Sequence, residues 1–177
     1  MSPGVVVWLT GLPASGKTTL ARRIRERAGA GVVLDSDEIR EALGATGYAR
    51  GDRDAFYRTL AALAAAIARQ GNLVLVAATA PRRAHREHAR ALAPRFVEVH
   101  VQTPLATCEQ RDVKGLYARA RAGAAPALPG IGEPYEPPLA PDVTAGGGHD
   151  DPAVDAVLRL ADRANRARDG SATQSLR

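Results

Sequence analysis

Lysine is nearly missing from this 177-residue chain. Of its 24 basic side chains only Lys17 and Lys114 are lysines; the others are arginines. Cysteine is nearly missing too. Cys108 stands alone, which excludes an intramolecular disulfide and fits a reducing, cytoplasmic setting. On its predicted helix among apolar residues, this thiol is expected to be packed rather than reactive. No aromatic residue interleaves with the basic run RRAHREHAR (82–90), so no nucleic-acid partner is expected. Long apolar runs are absent: near the N-terminus, VVVWL is five residues long and no basic region precedes it. The expectation is neither a signal peptide nor a membrane span. A chain of this length buries about two thirds of its unfolded surface as one domain, without a disulfide or metal staple. The net charge of +5 reads chiefly as arginine-rich composition and names no partner by itself.

What is present alternates. Short, nearly continuous apolar runs at 4–10, 31–35, 72–78 and 95–101 read as buried strands, and 142–145 as a further short one. Helices are predicted from Gly16 to about Arg27, over 36–43 with Ser36 or Asp37 as its cap, and over 54–69. Others run from Pro81 to about Ala93, over 104–112, on through VKGLYARARAG with an interruption at Gly115, and over 151–168. Residues 44–53 read as a loop. The last helix carries Val154, Val157, Leu158 and Ala161 on one face, suited to the core or to a homodimer contact. Strands that alternate with helices predict an α/β domain of three layers over 1–168, a parallel sheet covered on both faces, with 169–177 as a disordered tail. The Pro- and Gly-rich stretch after 123 is too stiff for a linker, and a segment of that length in a compact domain is expected to work as a lid.

GLPASGKT (11–18) matches G-x-x-x-x-G-K-[ST] in full, between a predicted strand and a predicted helix. The glycines turn backbone N–H groups inward as an anion nest, and the helix N-terminus adds partial positive charge. Lys17 is a compact charge on a long stem, able to reach between β- and γ-phosphates where a planar guanidinium fits poorly. Thr18 offers a hydroxyl to Mg²⁺. The motif predicts a P-loop NTPase fold and a nucleoside triphosphate with Mg²⁺, held by Gly11, Leu12, Pro13, Ala14, Ser15, Gly16, Lys17, Thr18 and Thr19. LDSDEIR then sets Asp35 and Asp37 at the carboxyl end of the second strand, where ligands bind in open α/β sheets. One carboxylate can serve the metal and the other can take the proton of an attacking hydroxyl; Asp35 is assigned to the first role and Asp37 to the second. Lys17, Asp35 and Asp37 are thus the candidate catalytic residues.

Farther along, FVEVHVQTPLATCEQRDVKGLYARARAG, followed by GIGEPYEPPLAP, closely resembles the adenylylsulfate kinases. The resemblance spans roughly residues 4–143. That family uses ATP to phosphorylate the 3′-hydroxyl of adenosine 5′-phosphosulfate (APS), a step of sulfate assimilation. The resemblance implies a lid over about 111–138 whose cations Arg111 and Lys114 meet nucleotide phosphates. It also implies acceptor binding by Arg40, Arg53, Lys114 and Leu116, and an aromatic, Tyr48, for the acceptor base.

The departures from the family pattern fall at the acceptor side. Phe56 stands where the family has an acceptor-binding Asn. Thr79–Ala80 replaces an Ile-Ser pair after the third strand, and Gly132 replaces an Asp. Exchanging an amide for a phenyl ring removes both donors and acceptors. Two acceptors stay open from the sequence: APS, or another small hydroxylated metabolite. A non-catalytic nucleotide sensor is a third possibility, against which Lys17, Asp35 and Asp37 argue. His85 and His88, three apart, lack further ligands for a metal and read as part of a solvated basic helix face.

Overall fold

The computed structural model describes residues 4–112, 114–124 and 128–172, with side chains to 162. Strand β1 (Val5–Thr10) lies at the centre of a five-stranded sheet. The P-loop and α1 (Lys17–Ala28) follow, then β2 (Val32–Asp35), α2 (Ser36–Ala42), α3 (Arg50–Arg69), β3 (Leu73–Ala77), α4 (Arg83–Leu92) and β4 (Phe96–Val101). Two short helices, α5 (Leu105–Arg111) and α6 (Leu116–Arg121), lead to the two-residue strands β5 (Leu128–Pro129) and β6 (Gly132–Glu133). The chain then forms β7 (Val143–Ala145) and α7 (Asp151–Ala172). The sheet order is β2-β3-β1-β4-β7, and every pairing in it is parallel.

The period of two in β1 builds both cores. Val5, Val7 and Leu9 point to one face and meet Leu20 and Ile24 of α1 and Val154 and Val157 of α7. Val6 and Trp8 point to the other and meet Leu60, Ala61 and Ala64 of α3 and Ala89 of α4. The apolar face of α7 therefore belongs to the core. Because the sheet is parallel, the carboxyl ends of all five strands open on one side, and the functional segments cluster there. Among the described residues no helix is long and apolar enough to cross a membrane.

The predicted order of the helices and of the five sheet strands stands; the two-residue strands β5 and β6 are additions within a stretch expected to be irregular, and the boundary differences have physical causes. Asp35 caps α2, in place of Ser36 or Asp37: its Oδ1 accepts the Asp37 amide at 2.8 Å. α3 begins at Arg50, inside the stretch expected to be a loop, where the Asp52 carboxylate accepts the Ala49 amide at 3.2 Å. α4 starts at Arg83 rather than at Pro81, its free N-terminal amide at Arg83 bonded to Glu136 Oε2 at 2.8 Å. The helix expected to run on from 104–112 breaks at Asp112. Gly115, at φ 62°, opens α6, and both Asp112 carboxylate oxygens cap the amides of Tyr117 and Ala118 at 3.0 Å. α7 runs to Ala172, past the expected end at 168; Val113, 125–127 of the expected lid and 173–177 of the expected tail lie outside the described residues.

Candidate active site

The P-loop leaves the end of β1 and turns into α1 at Gly16. There φ is 99°, and an added Cβ would meet the Gly148 amide nitrogen at 2.6 Å. Glycine is required at this position on both counts. Ala14 also holds a positive φ, 58°, within the nest. The loop is braced from three directions. Thr103, buried after β4, donates its hydroxyl to Ser15 O at 2.7 Å. Tyr117 of α6 donates its phenol to Pro13 O at 2.9 Å. The loop after β7 presses Gly148 against Thr19.

Lys17 Nζ lies over this nest and donates to the carbonyls of Gly11 and Leu12 at 3.0 and 2.7 Å. Burial lowers its pKa to about 8, against the opposing pull of Asp37, Cys108 and Asp35. A cation desolvated to this extent, with carbonyls as its hydrogen-bond partners, is suited to an incoming anion. Ser15 Oγ is buried within the loop without a hydrogen-bond partner among the described residues. The nest therefore fits a polyphosphate. Thr18 Oγ1 donates to Asp35 Oδ2 in a short contact, so a hydroxyl and a carboxylate oxygen stand together at the end of the loop. Among the described residues no three His, Cys, Asp or Glu side chains gather into a metal cluster. Thr18 and Asp35 fit a Mg²⁺ ion that arrives with phosphates and keeps its remaining ligands as water.

Asp37 is open to solvent on α2, and Lys114 reaches it across the cleft, Nζ to Oδ2 at 2.7 Å. That hydrogen bond, reinforced by the charges of Asp37 and Asp35, raises the Lys114 pKa. The two lysines of the chain thus flank one pair of carboxylates. Arg111 closes α5 on the exposed side, and Leu116 opens α6 half-buried.

The side expected to take the acceptor is built differently. Arg40 is buried and its Nη1 donates to the carbonyls of Ala45 and Gly47 at 3.3 and 3.2 Å. Its guanidinium carbon lies 3.9 Å from the Phe56 ring centroid and 4.8 Å from that of Tyr48. Phe56 itself is buried in the core, whereas Tyr48 is exposed. Arg53 is buried, donates Nε to Tyr48 O at 3.0 Å, and pairs with Glu133 of β6 in a short contact. A cleft of about 380 Å³ adjoins these groups, lined by Arg40, Asp52, Phe56 and the 43–47 turn.

Thr79 and Ala80 follow β3. Thr79 O accepts the Thr10 hydroxyl at 2.6 Å. Ala80 is fully buried at φ 40°, and both sides of it are fixed: its amide donates to Tyr57 Oη at 3.1 Å, and its carbonyl accepts Arg86 Nη1 at 2.7 Å. A strained residue held by surrounding bonds is a recurrent feature of functional sites. The neighbouring basic helix is not a solvated face on its inner side. His85 and Arg86 are buried because carboxylates meet them: Asp54 accepts His85 Nε2 at 2.7 Å, and Glu98 accepts Arg86 Nε at 2.8 Å. Burial lowers the His85 pKa, which favours the neutral ring. Cys108 is buried as expected, and burial pushes its thiol pKa up.

Tyr57, Arg86, Thr103, Asp112, Tyr117 and Glu133 are site-building residues that sequence reasoning did not single out. Thr103, Asp112 and Tyr117 do sit inside the TPL…RD…KGLY run that carries the family resemblance. The other three gain their roles only through contacts distant in sequence.

The adenylylsulphate kinase family profile matches residues 3–145. An adenylyl-sulfate kinase of Gloeothece citriformis is 48% identical over 145 residues, covering 79% of this chain and 82% of the relative. One from Chloroflexus aurantiacus is also 48% identical over 145 residues, 79% of this chain and 78% of the relative. Among solved structures, the APS kinase of Mycobacterium tuberculosis in complex with AMPPNP and APS superposes with a TM-score of 0.76 at 37% identity, covering 96% of this chain and 98% of that one. With its parallel sheet, P-loop and paired carboxylates matched by a family profile over most of its length, the chain belongs to the adenylylsulphate kinase family.

Proposed function

We propose that this protein transfers the γ-phosphate of ATP to the 3′-hydroxyl of APS. The observation that carries this reading is the convergence of Lys17, Asp35, Asp37 and Lys114 at the mouth of the P-loop, opposite the buried Arg40 and Arg53. Residues 11–19 hold the ATP phosphates, and Lys17 stabilises the charge of the β- and γ-oxygens. Mg²⁺, held from Thr18 and Asp35, supplies neutralisation of the phosphate charge. Asp37 accepts the proton of the 3′-hydroxyl as its oxygen bonds to the γ-phosphorus. The bond from that phosphorus to the bridging oxygen breaks, and ADP leaves with that electron pair. Lys114 and Arg111, on the lid segment of about 111–138, add positive charge where the phosphoryl group passes, and Leu116 adds apolar contact. Arg40 and Arg53 bind the phosphosulfate, and Tyr48 stacks on the acceptor base.

The closest competitor is an acceptor other than APS. Phe56, Ala80 and Gly132 favour it, because polar groups of the family pattern are gone from the acceptor side. ADP release with Mg²⁺·ATP, with and without APS, together with the product mass, separates the two. Strong stimulation by APS and a 3′-phosphorylated product support the reading; ATP binding with no response to APS sinks it. The reading also includes a cytoplasmic site of action, tested by cell fractionation, and a homodimer, tested by light scattering.

A further inference from the structure

Three arginines are buried among the described side chains: Arg40, Arg53 and Arg86. Arg53 pairs with Glu133 and Arg86 with Glu98. Arg40 has no carboxylate partner among the described residues; it has two aromatic rings instead, the buried Phe56 at 3.9 Å and the exposed Tyr48 at 4.8 Å. A buried cation without an opposing charge is costly unless something else holds it. Two features do. Its Nη1 is tied to the carbonyls of Ala45 and Gly47, and the Phe56 ring lies against the guanidinium at 3.9 Å, well inside cation–π range. Nε and Nη2 carry no hydrogen bond among the described residues, and five donors in a planar fork leave these two for an anion.

The Phe56 ring is in turn fixed from behind. Tyr57 meets it edge-on with centroids 5.4 Å apart, and the Tyr57 hydroxyl oxygen accepts the amide of the strained Ala80. The two substitutions at the acceptor side, Phe56 and Ala80, therefore belong to one rebuilt floor. Arg40 is its charged upper layer, Phe56 its middle and the Tyr57–Ala80 bond its base.

We propose that Phe56 is a positioning residue for the acceptor. Its ring face presets the Arg40 guanidinium to receive the acceptor's anionic group, replacing the hydrogen bonds of an amide side chain by a cation–π contact. This rests on the assignment of Arg40 to acceptor binding. A phenyl ring cannot bond the acceptor's oxygens, so it acts only through the orientation of Arg40, and its effect falls on the acceptor rather than on ATP.

The test is a shape-preserving series in which mono-, di- and trifluorophenylalanine are placed at position 56 of the full chain. Fluorination withdraws charge from the ring face while leaving its volume nearly unchanged, so folding is retained. The KM for APS should rise stepwise, reaching about fivefold for the trifluoro ring, with kcat and the KM for ATP held within twofold. Phe56→Leu, which has no ring face, should raise the APS KM at least as far. A flat APS KM across the fluorinated series, or equal changes in kcat and both KM values, overturns the proposal and leaves Phe56 as core packing. A wild-type protein that turns over APS with a flat series sinks the role of Phe56 alone. A wild-type protein that ignores APS sinks the assigned acceptor, and this role with it.

Discussion

The two sides of the cleft are built by opposite strategies. On the side proposed to hold ATP, nine consecutive residues, 11–19, make the nest. Lys17 bonds carbonyls of its own loop, and Thr18 meets Asp35 at the end of the adjoining segment. On the acceptor side no short segment suffices. Arg40, Phe56 with Arg53, Ala80 with Arg86, and Glu133 come from four separated stretches, brought together by α2, α3, α4 and β6. The chemistry explains the contrast. A triphosphate presents the same closely spaced oxygens wherever it binds, so one loop of inward N–H groups matches it. An acceptor is larger and varied, and its recognition is assembled from distant surfaces that change independently.

The comparison is most sharply broken at Lys17. Lys17→Ala should lower phosphoryl transfer about 10³-fold in an ADP-release assay, because it removes the half-buried cation at the developing charge. Near-normal turnover would end the assignment of this loop to catalysis. Asp37→Ala should cost about 10²-fold or more in kcat while ATP affinity, read by calorimetry, stays within a fewfold. Loss of ATP affinity instead would move Asp37 to the nucleotide side, and unchanged function would revive a sensor role.

The third test uses pH. Burial lowers the Lys17 pKa to about 8 in the free protein, and phosphate oxygens favour the protonated ammonium. Below pH 8 the charge is already present and affinity is flat. Above it, binding must take up a proton, so ATP affinity should fall by up to about tenfold per pH unit. Calorimetry in buffers of different ionisation enthalpy reads the proton directly; no uptake at pH 9 refutes the shift.

The smallest expected effect sharpens the other side. Glu133 holds Arg53 across the cleft. Glu133→Gln should remove the opposing charge from that guanidinium and lower the KM for APS by about two- to fivefold, with the ATP KM unchanged. A higher APS KM would mean that Glu133 orients Arg53 for the acceptor rather than competing with it.

Much of this could be read before any coordinates. The β-branched runs named the strands, and period two in VVVWL is enough to divide its side chains between two cores. The P-loop announced itself because its function needs residues at fixed local spacing. The expectation of a solvated face holds for His88 but not for His85, because helix periodicity cannot show that Asp54 and Glu98 wait beneath His85 and Arg86. The interruption at Gly115 is legible in the sequence, but the part Asp112 plays in it is not: a carboxylate capping a helix several residues onward looks, in sequence, like one more charged residue.

The sequence by itself determined the parallel α/β order, the phosphate nest and the pair of carboxylates after β2, since each depends on periodicity or short-range spacing. Tertiary structure decided which cation meets which partner. Lys114 reaches Asp37, Arg53 takes Glu133, and Arg40 is left to an aromatic ring. Such pairings depend on separations of up to about eighty residues being closed by packed helices. Charge and shape at a distance are settled by the fold, because no local pattern along the chain records which surfaces will meet.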